Sequence, residues 1–194
     1  MRLILLNGPP RCGKDTALGL IAKHQLELSL GMVRHIMVAE PLKDACHAFL
    51  NARPANDADK DKPIGLYGIE MTWRQFYIHM SEKCYKPLFG IDIFGRIAVA
   101  QLVNPSHTYV TSDTGFHEET APLIKRVGGK HTLLVTLSRP GTSFDNDSRS
   151  YLQVDELERL TGSRVSQCLI DNRHSLEMYE AELCMRIQQW RDKL

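Results

Sequence analysis

The apolar run Leu3-Ile4-Leu5-Leu6 is bounded by Asn7-Gly8, and a short continuous run closed by turn residues predicts a buried strand over Arg2–Asn7. Apolar positions at helical spacing follow from about Lys14 to Leu30, where Gly31 supplies a stop. His35–Ala39 predicts a second strand. Pro41 opens a helix through about Leu50, since proline suits a first helical turn. Thr72 reads as the N-cap of a helix carrying Trp73, Arg74, Phe76, Tyr77 and Met80, interrupted at Pro87 and Gly90. Asp92 caps another, with Ile93, Ile97, Ala100 and Leu102 as its buried side. His107–Ser112 predicts a strand, Glu118 to Val127 a helix stopped by Gly128-Gly129, and His131–Leu137 a strand rich in leucine and β-branched residues. Arg164–Ile170 is the last strand. Ser175 caps a final helix whose Leu176, Tyr179, Leu183, Ile187 and Trp190 form a core-facing stripe.

Strands alternating with helices imply an α/β fold with a mainly parallel sheet and helices on both faces. No repeat or linker divides the pattern, so one domain over residues 1–194 is expected, with a helix-rich insert at about 41–103. Inside that insert, residues 53–70 read as a solvated loop, with the charged patch 56–63 at its centre. The segment from Ser138 to Ser150 is longer than a compact connection needs. Its Gly, Pro, Ser, Asn and Asp content marks a loop of the kind that serves as a lid, at about 139–151.

Composition narrows the class. The chain has 194 residues, 43% apolar and 24% charged, as in a globular domain with a sizeable core. A net charge of +1 supplies no basic field for nucleic acid, and no apolar run approaches a membrane span. Neither partner is expected. A strand at the start leaves no room for a signal peptide. Five scattered cysteines fit free thiols in a reducing, cytoplasmic compartment. Cys46, Cys84, Cys168 and Cys184 read as small buried hydrophobes. The eight dispersed histidines carry no zinc-motif spacing.

The chemistry sits between the first strand and the first helix, in Gly8-Pro9-Pro10-Arg11-Cys12-Gly13-Lys14-Asp15-Thr16. Glycine, four residues, then Gly-Lys is the spacing of a phosphate-binding loop. Backbone N–H groups wrap a polyphosphate, glycine permits the turn, the helix N-terminus faces the anion, and Lys14 adds a cation. Cys12 contributes backbone only. Asp15 stands where a hydroxyl commonly binds magnesium, with Thr16 one residue later. Asp15 can hold the metal through water, meet a substrate, or favour the helix N-terminus.

Other residues discriminate among the many users of such a loop. Asp113 ends a strand, where ligands gather in parallel sheets, and suits a magnesium-bound water or an acceptor. Arg139 and Arg149 bracket the lid, and their planar forks suit ATP phosphates or the transferring group. Arg74, beside Trp73 and Phe76, can grip an acceptor phosphate and leave rings for a base. Glu82 and Glu119 are further candidates. The Asn-Lys-x-Asp pattern of GTP switches is absent. A helical insert and an arginine-bearing late loop suit a small-molecule kinase, which must hold an acceptor and close over a donor. A nucleotide-binding module without transfer stays open as the alternative.

The loop, with its aspartate after the lysine, resembles that of the phage-type deoxynucleoside monophosphate kinases, which animal phosphomevalonate kinases share. The run from Arg74-Gln75 through Ser81-Glu82 to Gly90-Ile91-Asp92 is similar to that family's substrate-binding region. Ser112-Asp113-Thr114-Gly115-Phe116 with Glu119 resembles its Ser-Asp-x-Arg-Phe-x-x-Glu segment. Ser138-Arg139-Pro140-Gly141 and Asp147-Ser148-Arg149-Ser150 resemble its lid. The resemblance implies a three-layer P-loop kinase fold and magnesium- and ATP-dependent phosphorylation of deoxynucleoside 5′-monophosphates, in a host-cell cytoplasm if the chain is viral. Lys14, Asp113, Arg139 and Arg149 would be catalytic. Gly8, Arg11, Cys12, Gly13, Lys14, Asp15 and Thr16 would bind ATP, and Arg74, Trp73, Glu82 and Glu119 the acceptor. Mg²⁺ would fall to Asp15, Thr16 and Asp113. Gly115 departs from the family's arginine, leaving a phosphate contact absent or supplied by Arg74, Arg96 or Arg126. A kinase for another phosphorylated metabolite, and a homodimer, are left open.

Overall fold

Five parallel strands form one sheet in the order β2-β3-β1-β4-β5. They are β1 (Arg2–Asn7), β2 (Val33–His35), β3 (Thr108–Thr111), β4 (Thr132–Ser138) and β5 (Ser166–Asp171). The helices are α1 (Lys14–Lys23), α2 (Glu40–Leu50), α3 (Trp73–His79), α4 (Lys86–Phe89), α5 (Ile93–Val99), α6 (His117–Val127), α7 (Val154–Thr161) and α8 (Leu176–Arg191). The computed structural model describes residues 1–145 and 147–194, with the backbone alone for Asp57. Asn146 of the expected lid lies outside the described residues.

The chain divides into two compact units, Met1–Val38 with Gly95–Leu194, and Ala39–Phe94. The second unit overlaps the helix-rich insert expected at about 41–103. In the first unit, the central strand β1 pairs with β3 and β4, Leu5 standing opposite Thr111 and Leu134. Side chains alternate across a strand. Ile4 and Leu6 join a core with Ala17 and Ile21 of α1 and Leu183 and Ile187 of α8. Leu3 and Leu5 are also fully buried, and α6 contacts β1 on that opposite side, with α7 against α6. Helices therefore cover both faces, as the alternation implied.

In the second unit, Thr72 caps α3 in a capping box with Gln75. The side chain of Thr72 accepts from Gln75 N at 3.2 Å, and Gln75 Oε1 accepts from Thr72 N at 2.8 Å. A π-helical stretch, Met80–Tyr85, leads into α4, with Pro87 in its first turn. The helical run continues through Pro87 and ends at Gly90 (φ 97°), so the interruption expected at Pro87 does not occur and the one at Gly90 does.

Other elements depart from the pattern. The first helix ends at Lys23 rather than Leu30; the chain turns, yet still buries Leu28 and Leu30. The second strand lies at Val33–His35, earlier than expected, although Ile36 N still donates to Val110 O at 2.9 Å. Along α5 and its exit the buried positions are Phe94, Ala98 and Leu102, while Ile97 is 41% exposed. The face is rotated by one residue because Phe94 takes the inward position. Helix α7 has no counterpart in the sequence reading: of its residues only Leu157 is buried, so the stripe is thin. Leu176 is exposed, while the rest of the α8 stripe is buried. No helix among the described residues is long and apolar enough to cross a membrane.

Candidate functional site

The loop between β1 and α1 stands at the carboxyl ends of the parallel strands, the edge where α/β folds bind ligands. Arg11 (φ 64°) and Gly13 (φ 108°) adopt left-handed conformations. Alternating handedness over successive residues makes N–H groups converge into an anion-binding concavity. Two residues beyond β5 brace the outside of the loop. Asn172 Nδ2 donates to Cys12 O at 3.0 Å, and the Tyr179 hydroxyl donates to Gly13 O at 3.1 Å. In a trans peptide the N–H points opposite its C=O. Tying those two carbonyls back therefore turns the N–H groups of Gly13 and Lys14 toward the concavity. Gly13 is required twice over: its φ disfavours a side chain, and a Cβ would collide with the Asn172 amide.

Lys14 is 9% exposed. Its ammonium donates to Gly8 O at 2.7 Å and Pro9 O at 2.6 Å, and lies 3.8 Å from Cys12 Sγ. Burial lowers its pKa, opposed by the thiol of Cys12; Arg149 lowers it further, and Asp15 and Asp147 raise it. Burial pushes the Cys12 thiol up despite Lys14, which keeps it neutral packing. Arg11, Asp15 and Thr16 are exposed at the loop and the first turn of α1.

Asp113 follows β3 at the same sheet edge. One of its oxygens accepts from Thr111 Oγ1 at 2.7 Å and Val38 N at 3.1 Å, so it also ties down the chain leaving β2. The lid segment splits in two. Arg139 is exposed, and its carbonyl accepts from Thr142 N at 3.1 Å across a turn with Pro140 and Gly141 (φ 77°) at its centre. The far end is fixed. Ser150 N donates to Gly115 O at 3.2 Å, and Tyr151 packs edge-on to Phe144 with ring centroids 5.0 Å apart. Arg149 donates from Nε to Asp147 Oδ1 at 2.9 Å and from Nη2 to Asp147 Oδ2 at 2.7 Å. The last residues of the segment expected as a lid are thus tied by hydrogen bonds to Gly115 and Asn7.

Asn7, the last residue of β1, was not among the expected site residues. It is fully buried. Its Nδ2 donates to Thr114 O at 3.2 Å and Ser150 O at 3.1 Å, and its Oδ1 accepts from Leu152 N at 2.9 Å. One amide therefore fastens the end of β1, just before Gly8, to the segment after β3 and to the chain at Ser150–Leu152. The signal available in sequence was a polar residue closing an otherwise apolar strand. Asn172 follows the already polar end of β5 at Asp171 and carried no such signal. Tyr179 was legible only as core, its hydroxyl hidden within an apolar stripe.

The expected acceptor residues divide between the two units. Glu119 is buried in the first turn of α6, in the first unit. The others lie in the second. Arg74 makes a two-pronged contact with Asp61, Nε to Oδ1 at 2.6 Å and Nη2 to Oδ2 at 3.3 Å. Trp73 is 5% exposed and packs edge-on to His47 and beside Tyr77, so its ring is used in the unit's core rather than offered to a base. His47 Nε2 and the Tyr77 hydroxyl are 2.7 Å apart, and burial pushes the Tyr77 pKa up to about 12. Glu82 accepts from Lys86 at 2.7 Å and Ser81 at 3.1 Å. Of the arginines offered in place of a residue at Gly115, Arg126 sits in the last turn of α6. That turn leads to the start of β4, the edge of the sheet remote from the loop.

Among the described residues, no group of three or more His, Cys, Asp or Glu side chains is arranged to hold a metal. The oxygen donors near Lys14 suit a hard cation carried in by a polyphosphate, which needs only one or two protein oxygens. No protein-family model matches the sequence, and comparison with curated proteins finds no match.

Proposed function

We propose that the protein is a P-loop kinase that transfers the γ-phosphoryl group of ATP to the 5′-phosphate of a deoxynucleoside monophosphate. The observation that carries the reading is the braced loop: two left-handed residues, carbonyls tied outward by Asn172 and Tyr179, and a buried lysine at its centre. The strand order supports a P-loop kinase fold, since β1 lies between β3 and β4 with its loop at the carboxyl edge. The choice of a deoxynucleotide acceptor rests on the sequence resemblance.

Phosphoryl transfer needs positioning and charge neutralisation more than covalent chemistry. The N–H groups of Gly13 and Lys14 hold donor phosphate oxygens, and the N-terminus of α1 favours their charge. Lys14 exchanges the Gly8 and Pro9 carbonyls for phosphate oxygens, so its buried ammonium gains charged partners. Arg149 adds a second cation beside it. Magnesium, when bound, neutralises charge on the donor phosphates; Asp15, Thr16 and Asp113 would hold it, directly or through water. Arg74, Glu82 and Glu119 are carried forward as acceptor residues on the resemblance alone. The attacking atom is an oxygen of the acceptor phosphate, so no protein nucleophile is needed.

A coupled ADP-release assay over deoxynucleoside monophosphates, phosphomevalonate and nucleosides, with magnesium present, tests this. The expected result is turnover with at least one deoxynucleotide, reduced by two or more orders of magnitude in Lys14→Met with the fold kept. Turnover confined to a non-nucleotide acceptor would overturn the substrate class. Full activity of Lys14→Met would overturn the mechanism.

A further inference from the structure

The position of Arg149 is over-determined, and three groups fix it. Its aliphatic stem crosses directly over Gly115. A Cβ built on that glycine would collide with Arg149 Cβ and lie 2.6 Å from its Cγ and 2.9 Å from its Cδ. Contact at Cβ, which the backbone fixes, cannot be relieved by a rotamer change. Gly115 is not among the residues of positive φ, so the glycine serves space rather than backbone conformation. Next, Asp147 holds the guanidinium by its Nε–Nη2 edge, and the same carboxylate accepts the backbone N–H of Arg149 at 3.0 Å. The Asp147 side chain is 6% exposed against 23% for Arg149. The carboxylate is thus anchored, while the guanidinium keeps access to solvent. Finally, Ser150 is bound on both sides, its N–H to Gly115 O and its carbonyl to the Asn7 amide at the base of the phosphate loop.

We infer that Asp147 and Gly115 are positioning residues for anion binding: they aim the Arg149 guanidinium at the phosphates held by the loop around Lys14. A planar fork engaged along one edge has its plane fixed, and pre-orientation lowers the entropy lost when a ligand is bound. This rests on the phosphate-loop reading and adds what it lacks, namely why a residue in an irregular loop is presented rigidly. It also accounts for Gly115. The space over that position is filled by the stem of Arg149, so a long side chain there and Arg149 in its present place are mutually exclusive.

Calorimetric titration of the full chain with inorganic tripolyphosphate and magnesium tests this without requiring turnover. Arg149→Ala is expected to weaken binding about 10- to 100-fold, the range for a charge-assisted hydrogen bond. Asp147→Asn and Gly115→Ala should each weaken it about tenfold. Asp147→Asn should add little in the Arg149→Ala background, because it acts through that arginine. Circular dichroism and thermal melting show that each variant is folded, and Arg149→Lys, which keeps charge without the fork, should fall between wild type and Arg149→Ala. Should Asp147→Asn and Gly115→Ala both bind like wild type, or Asp147→Asn exert its full effect without Arg149, the proposal fails while the phosphate loop stands. Tighter binding by Asp147→Asn would also overturn it, showing that the carboxylate competes with the ligand. A wild-type chain that does not bind tripolyphosphate would overturn the phosphate-loop reading and this inference together.

Discussion

Replacing Asn7 by alanine removes one side chain and breaks three hydrogen bonds at once. The buried partners lose most. Leu152, 1% exposed, is left with an unbonded N–H, and the carbonyl of Thr114, 4% exposed, loses its donor. Ser150 is exposed, so its carbonyl can turn to water. Two orphaned buried groups at about 1–3 kcal/mol each give an expected loss of about 2–6 kcal/mol. For a chain of this length, at about 2–4 °C per kcal/mol, that corresponds to a fall in Tm of about 4–24 °C. Urea unfolding with a fitted m-value is the assay, and exchange of the Leu152 amide reports the site directly. Asn7→Asp sharpens the test. It keeps the acceptor for Leu152 N but turns a second oxygen toward the Thr114 and Ser150 carbonyls. Burial and those carbonyls would raise the aspartate pKa in the folded state. A group whose folded pKa is raised stabilises the protonated form, so this variant should gain stability as pH falls through the raised value. A loss under about 1 kcal/mol in Asn7→Ala, or wild-type stability of Asn7→Asp at neutral pH, would refute the role given to this amide.

Gly13→Ala should lose about 1–3 kcal/mol from backbone strain, together with much of the tripolyphosphate binding, as denaturation and calorimetry would show. Gly141→Ala, also at positive φ but facing open space, should show a cost from strain alone and leave binding near wild type. At the surface, His24 lies between Glu180 and Glu27, with Nδ1 2.6 Å from Glu27 Oε2 and Nε2 against Glu180 Oε1. Those hydrogen bonds, Glu180 first, raise its pKa above the ordinary 6.5. The stabilisation is therefore complete below pH 6.5 and is lost as pH rises through the raised value. His24→Asn should flatten that part of the stability–pH profile, and an unchanged profile would exclude the cluster as its source.

The sequence by itself determined the central strand, the tight loop from Gly8 to Lys14 and the alternation that makes a parallel sheet, because each is written in neighbouring residues. The run Leu3–Leu6 needs burial on both faces, Gly8 to Lys14 has its spacing in nine consecutive residues with Asp15 and Thr16, and Thr72 stands directly before the helix that it caps. Arg149 was legible as a candidate, and Gly115 as a departure without a reason. Features that depend on residues far apart were decided by the tertiary structure. Asn172 and Tyr179 brace a loop 160 and 166 residues earlier. Asn7 joins segments 107 and 143 residues away. Trp73, which looked available beside a cation, is taken up by His47 and Tyr77 once α2 and α3 pack. Local pattern encodes which backbone groups a segment satisfies within itself. The groups it leaves over, the ends of strands and the carbonyls of a strained loop, find partners only when the chain folds. That is where Gly115 acquires its reason, in the stem of an arginine that no local pattern places above it.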